Sequence, residues 1–215
     1  MTNVPLYLLG GLLAVTTPGA LAQTAPTTDT TKTRSAPAQP LKTDLLPTLQ
    51  QMIAKMKQAK ATGDPDLDFA TQARLHAQGT QDLLRAILDA QPDSALAQVA
   101  KTMLATTQTD LTTLDKLVNE RKPARPNAAF AKQQSRILAA MDEKIKQSAS
   151  RYKLTGNPGE TIAILLSDQR QDAMNLAMGY LSFGKNTELR NFAQQSVEKA
   201  KLDIDVIKNL RKAGR

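Results

Sequence analysis

The sequence predicts an all-α protein: two tandem three-helix units forming a helical bundle, after a signal peptide and a disordered linker. Three observations point there. The 215-residue chain holds four Phe, three Tyr and no Trp, so its core must be built from Leu, Ile, Val, Met and Ala. With Gln, Lys and Asp between them, these residues favour helix. Apolar residues recur at helical spacing, with little of the β-branched and aromatic alternation of strands. Residues 62–118 also match residues 155–211 without gaps at a constant offset of 93, with eleven of 57 positions identical.

Residues 4–15, VPLYLLGGLLAV, form a short apolar run, and Ala20-Leu21-Ala22 supplies the small residues of a cleavage site before Gln23. The pattern predicts a secretory signal peptide over residues 1–22, although no Lys or Arg precedes the run, and hence an extracytoplasmic protein, periplasmic or secreted. Such a run is too short to span a bilayer, which takes about 20 residues. No transmembrane segment is expected in the mature chain. Residues 23–40 are rich in Thr, Ala and Pro with almost nothing to bury. They read as a disordered tether, because such a segment cannot offset its ordering entropy.

The first helical unit is placed at residues 41–122. Its first helix is predicted from about Asp44, as N-cap, to Lys60, with Leu46, Leu49, Met52, Ile53 and Met56 on one side and Pro47 tolerated in the first turn. In Thr62-Gly63-Asp64-Pro65, Gly63 suits the C-terminal cap of that helix, Asp64 the N-cap of the next, and Pro65 its first position. The second helix carries Phe69, Ala73, His76, Thr80, Leu83 and Ile87 on one stripe, so the single histidine points inward. Gln91-Pro92-Asp93 breaks it. A third helix follows to about Glu120, with Leu96, Val99, Met103, Thr107, Leu111, Leu114 and Val118 in register. The segment RKPARP, residues 121–126, interrupts the periodicity with two prolines.

In the second unit, residues 123–215, the pattern restarts. Asn127 caps a helix bearing Phe130, Ile137, Leu138, Met141, Ile145 and Tyr152, and the turn Thr155-Gly156-Asn157-Pro158 follows. The next helix carries Ile162, Leu165, Leu166, Ala173, Leu176, Tyr180 and Leu181. Gly184 stops it, and Leu189, Phe192, Val197, Ile204, Ile207 and Leu210 mark the last helix. The internal match carries weight because the cap, the break and the stripes of two helices stay in phase, as a tandem duplication requires. A three-helix unit buries only part of its stripes alone. The two units are therefore expected to pack face to face, each Leu or Ile so covered contributing about 1.5–3 kcal/mol.

The formal net charge is +8, unevenly distributed: residues 41–122 hold ten Lys/Arg and ten Asp/Glu, residues 123–215 sixteen and nine. Lys199, Lys201, Lys208, Arg211, Lys212 and Arg215 make the last helix basic. This fits either a solvated face or attraction to an anionic envelope component such as phospholipid or cell-wall polymer. Without basic and aromatic residues interleaved, no nucleic-acid partner is expected. The absence of cysteine excludes disulfides, thiolate metal sites, a lipoprotein anchor and thiol catalysis. There is no G-x-S-x-G turn, phosphate loop or dinucleotide fingerprint. Ala73, three residues before His76, breaks the Glu-x-x-His pair of a di-iron bundle. The chain does not read as an enzyme and requires no cofactor.

His76 is the sharpest candidate site. One reading is a core histidine hydrogen-bonded to Gln72 or Thr80, one turn away. The other is a soft-metal ligand joined by the thioethers of Met52, Met56 and Met103, a donor set suited to Cu(I). A metal site normally needs several convergent ligands, which favours the core. Met174 and Met178 read as core filler. Asp64, Asp66 and Asp68 lack the glycine and distal glutamate of a calcium loop, and capping with the helix dipole accounts for Asp64 and Asp66.

The stretch Thr62-Gly63-Asp64-Pro65-Asp66-x-Asp68-Phe69, followed by His76-x-Gln78-Gly79-x-x-Asp82, resembles the bacterial family known as domain of unknown function 305. Glu188-Leu189-Arg190-Asn191-Phe192-Ala193-Gln194 resembles that family's third-helix motif. The resemblance covers about residues 43–120 and, more faintly, 127–213. It implies a ferritin-like bundle, export and, as in some members, copper binding through Met and His. The family's helix motif reads M-M-x-P-H-H-Q-G-A-x-x-M. Here the methionine pair falls on Gln72 and Ala73, the histidines on His76 and Ala77, and the later methionine on Leu83. In the second unit the histidine positions hold Gln169 and Arg170, and the later methionine is Leu176. The metal motif is thus degenerate. The expected function is that of an exported, non-catalytic helical-bundle protein acting through surface contacts or self-association into a homo-oligomer. A low-capacity copper site at His76 and a basic module for an anionic envelope surface are the alternatives.

Overall fold

The computed structural model describes residues 45–120, 125–155 and 157–213, with side chains except at 149–155 and 213. Six helices fill them: α1 Leu46–Gln58, α2 Pro65–Asp89, α3 Ser94–Asn119, α4 Ala128–Thr155, α5 Pro158–Leu181 and α6 Thr187–Ala213. No strand occurs among the described residues, as an all-α chain requires. The expected signal peptide, the 23–40 tether, the Asp44 cap, residues 121–124 of the link, Gly156 and Arg215 lie outside the described residues. No described helix is long and apolar enough to cross a membrane.

Asp and Asn side chains start five of the six helices. Asp64 Oδ1 accepts the Asp66 and Leu67 amides, and Asp93 Oδ1 those of Ala95 and Leu96. Asn127 accepts from Phe130, Asn157 from Gly159 and Glu160, and Asn186 from Leu189. Each such cap stabilises by about 1 kcal/mol. Only α1 departs, with Leu45 at its N-cap position and no side-chain cap.

Gly63 does not cap α1 as expected. That helix ends at Gln58, and Gly63, at φ +80°, instead shapes the turn entering α2. The cause is Asp68, whose carboxylate accepts the Thr62 amide, the Thr62 hydroxyl and the Gly63 amide at 2.7–2.8 Å and folds the segment back on itself. The Gly63 carbonyl then accepts the Asn127 amide at 2.8 Å, tying this turn to the start of α4.

Helices α2 and α5 form the centre. α1 and α3 flank α2, α4 and α6 flank α5, and α1 also packs on α4. α2 and α5 run antiparallel: Phe69, near the start of one, stacks on Tyr180, near the end of the other, with ring centroids 4.2 Å apart. Leu83, Leu84, Ile87, Leu165, Leu166 and Tyr180 are fully covered between them and the flanking helices. The predicted stripes are correct to within a small rotation. In α3 the buried line runs through Leu96, Ala100, Met103, Thr107, Leu114 and Leu117, with Val99, Leu111 and Val118 at its edge. Met178, expected in the core, is 53 % exposed because Leu176, Ala177 and Tyr180 form the inner face of α5.

Candidate functional site

His76 sits at the middle of α2, 4 % exposed, on the stripe that faces α5. Neither of its expected side-chain partners bonds the ring. Gln72 Nε2 donates to the Met56 carbonyl at 3.0 Å, and Thr80 Oγ1 donates to the main-chain carbonyl of His76 at 2.9 Å while lying 3.1 Å from Gln169 Oε1. The imidazole Nε2 is buried without a hydrogen-bond partner. Burial, then the positive charges of Arg170 and Lys144, push its pKa down to about 3, so the ring is neutral at physiological pH.

The imidazole borders a cavity of about 40 Å³ where α2, α3, α5 and α6 meet. Two charged pairs stand at this junction. Arg170, on the inner face of α5 and 6 % exposed, places Nε 2.9 Å from Asp203 Oδ2 of α6, an ion pair whose N–H is not aligned for a hydrogen bond. Lys199 of α6 donates to both carboxylate oxygens of Asp110 in α3, at 2.7 and 3.0 Å. Burial pushes the Asp203 carboxyl upward against the pull of Arg170 and Lys199, and pushes Arg170 downward against Asp203 and Asp110. Arg170 Nη2 and Thr107 Oγ1 are, like His76 Nε2, buried without a hydrogen-bond partner.

The three candidate thioether residues go elsewhere. Met52, Met56 and Met103 are buried at 2 %, 0 % and 1 % exposure within the hydrophobic core, and none lines the cavity beside His76. Among the described residues no group of three or more His, Asp or Glu side chains converges as a metal site would.

The residues expected to form a basic surface are largely matched with acids. Lys199 holds Asp110, Lys201 lies 3.1 Å from Glu198, Lys208 3.7 Å from Asp205 and Arg211 3.0 Å from Glu160. Lys212 is exposed in the last turn of α6. Acidic residues interleaved along α6 and across its seam break the expected cationic face into pairs.

Arg170, Thr107 and Asp110 were not singled out from sequence as site residues. A signal was present. Arg170 falls four residues after Leu166 on the buried stripe of α5, where an unpaired charge is costly, and Asp110 and Asp203 are one of the eleven identities of the internal match.

No family model, no curated protein and no solved structure matches this chain.

Proposed function

We propose that this is an exported, non-catalytic helical-bundle protein that binds a small ligand in the cavity beside His76. The observation that carries the reading is that three residues lining one cavity, His76, Thr107 and Arg170, each carry a buried polar atom without a hydrogen-bond partner, Nε2, Oγ1 and Nη2. A buried polar group left unpaired costs about 1–3 kcal/mol. A core selected for stability alone would replace such groups with apolar ones. The test is thermal unfolding of the wild-type chain and of a cavity-filling variant, Ala73→Leu/Ser196→Met, with a panel of small ions and polar molecules. A ligand that raises the melting temperature of the wild type and not of the filled variant supports the reading; a panel without one removes it. Export is tested by expression with secretion and mass analysis of the mature chain, for which loss of residues 1–22 is expected.

The architecture in this proposal is two tandem three-helix units related by an approximate two-fold axis, similar to the domain-of-unknown-function-305 family and its ferritin-like bundle. Two contacts support it. Asp66 Oδ1 accepts the Asn186 amide at 3.3 Å, and Asp93 Oδ2 lies 3.7 Å from where a Cβ on Gly159 would stand. At the offset of 93, Gly159 corresponds to Asp66 and Asn186 to Asp93. The same meeting of helix starts thus recurs with the units exchanged.

The copper reading draws on one observation, the neutral, unpartnered His76 Nε2, which is the form of imidazole that binds metal. It lacks a second ligand, since the cavity offers Arg170 and Lys199 where sulfur is needed. Anaerobic Cu(I) titration against a competing chelator, with His76→Ala as control, tests it; stoichiometric binding lost in the variant would establish it. Binding to an anionic envelope surface draws no support from an α6 whose cations are mostly paired.

A further inference from the structure

Small residues that line the cavity beside His76 have large apolar counterparts in the other unit. The offset of 93 identifies the corresponding positions. Ala73, Ala177 and Ser196, which line the cavity, correspond to Leu166, Leu84 and Met103. These three are buried at 0 %, 0 % and 1 % exposure. The polar lining differs from its counterparts as well. His76 corresponds to Gln169 and Thr107 to Ala200. Divergence has therefore changed both the small residues and the polar residues that line the cavity.

The chemistry of those groups is that of hydrogen-bond donors. Arg170 Nη2 can only donate, and Thr107 Oγ1 and His76 Nε2 can each do so. The nearby carboxylates are engaged, Asp110 through both oxygens by Lys199 and Asp203 beside Arg170 Nε. They hold the two cations in place, while Arg170 Nη2, Thr107 Oγ1 and His76 Nε2, on residues that line the cavity, have no protein partner. Beyond its burial, the charges of Arg170 and Lys144 both disfavour a proton on His76. The volume, about 40 Å³, exceeds the roughly 10–15 Å³ that one water needs. Its interior holds a group of only a few non-hydrogen atoms.

We propose that this cavity is a binding site for a small monovalent anion of halide, nitrate or formate size, with Arg170 Nη2, Thr107 Oγ1 and His76 Nε2–H as its donors. The inference rests on the reading of the cavity as a ligand site and names the ligand class. Arg170 supplies the charge, Thr107 and His76 complete the coordination, and Leu114 and Phe192 help to exclude larger ions.

The experiment is thermal unfolding of the purified full chain at constant ionic strength, replacing sodium gluconate, whose anion is too large for the cavity, with sodium nitrate, formate or bromide. The wild type is expected to show a saturable rise in melting temperature of at least about 2–4 °C. Thr107→Val should weaken apparent nitrate affinity by about tenfold, the loss of one charge-assisted hydrogen bond. Ala73→Leu/Ser196→Met should abolish the response. Crystals grown in sodium bromide should show anomalous scattering in contact with Arg170 Nη2, a readout independent of whether the filled variant folds. An equal rise in the filled variant, or bromide-grown crystals without that peak, overturns the anion assignment. Formamide and Cu(I), run beside the anions, separate the two levels. If either gives a cavity-dependent rise and the anions do not, the ligand site stands and the anion is wrong; if nothing does, both fall.

Discussion

The carboxylate of Asp66, in the first turn of α2, accepts the hydroxyl of Tyr180 at 2.6 Å from a position 114 residues later in the chain. The same oxygen accepts the amides of Lys185 and Asn186 at 3.1 and 3.3 Å, where the chain turns into α6. One side chain from α2 therefore organises the entrance to α6, and the Phe69–Tyr180 stack lies directly beneath it.

Removing that carboxylate should loosen the join between α2 and the α5–α6 turn. Asp66→Ala is expected to cost about 2–3 kcal/mol, since it removes hydrogen bonds to a charged acceptor and leaves amides unsatisfied. Tyr180→Phe, which keeps the stack, should cost about 1 kcal/mol. Because the two share one bond, the double variant should lose less than the sum. Urea unfolding with an unchanged m-value is the measurement; additive losses would mean that the hydroxyl contributes nothing through Asp66.

Gly79 is required by its contact with Met52 rather than by backbone conformation. A Cβ at this position would stand 2.2 Å from Met52 Cγ and 2.5 Å from Met52 Cβ, too near the root of the side chain for a rotamer change to relieve. Gly79→Ala should therefore destabilise by about 1–3 kcal/mol through overpacking, despite alanine's better helix propensity. Met52→Ala alone should cost about 2–5 kcal/mol. Combined, the new methyl enters the space left by methionine, so the double variant should be markedly more stable than the two losses added. Equal additivity in denaturant melts would contradict the close approach.

These residues mark how far the sequence carries. Helix number, type and inner faces were legible because each depends on local periodicity and on a capping residue within three positions, as at Asp64 and Asn127. What was not legible depends on the register between distant helices. Nothing local to Asp66 announces Tyr180, and a helix-start aspartate is adequately explained by the dipole. Gly63 was misread for a similar reason: the Asp68 carboxylate, five residues on, decides the turn it occupies. At the candidate site His76 was legible as the single inward-facing imidazole. The methionines named beside it were chosen by helix face, which fixes burial but not which buried residues meet.

A buried ion pair and a more exposed one should differ in energetic weight. Arg170 and Asp203 have side chains 8 % and 23 % exposed, whereas Lys57, 2.9 Å from Asp142, is 52 % exposed. Asp203→Ala strands the buried guanidinium and should cost about 3–5 kcal/mol. Asp142→Ala should cost less than about 1 kcal/mol. Replacing both members, Arg170→Met/Asp203→Leu, should recover most of the loss, because the cost lies in the uncompensated charge. A double variant no more stable than Asp203→Ala would show instead that the pair is favourable in itself.

His76 and Asp172 oppose each other across the acid range. His76 titrates at 6.5 when unfolded and near 3 when buried. As pH falls below 6.5 the unfolded chain takes up a proton that the folded chain refuses, so this contribution to stability is full above 6.5 and is lost toward 3. Asp172, 2 % exposed beside Lys144, has its carboxyl pushed by burial from 3.8 up to about 6, outweighing the lysine. Here the folded chain protonates first, so stability rises as pH falls from 6 to 3.8 and is lost as pH rises through 6. At about 1.4 kcal/mol per pH unit for each group, the two nearly cancel between pH 4 and 6. His76→Gln should remove the opposition and become more stable than the wild type by about 3 kcal/mol on going from pH 7 to pH 4. Asp172→Asn should move by a similar amount in the other direction. Urea unfolding of the three proteins at both pH values reads this directly. Parallel profiles would mean that neither group is as deeply desolvated as its place in the core implies.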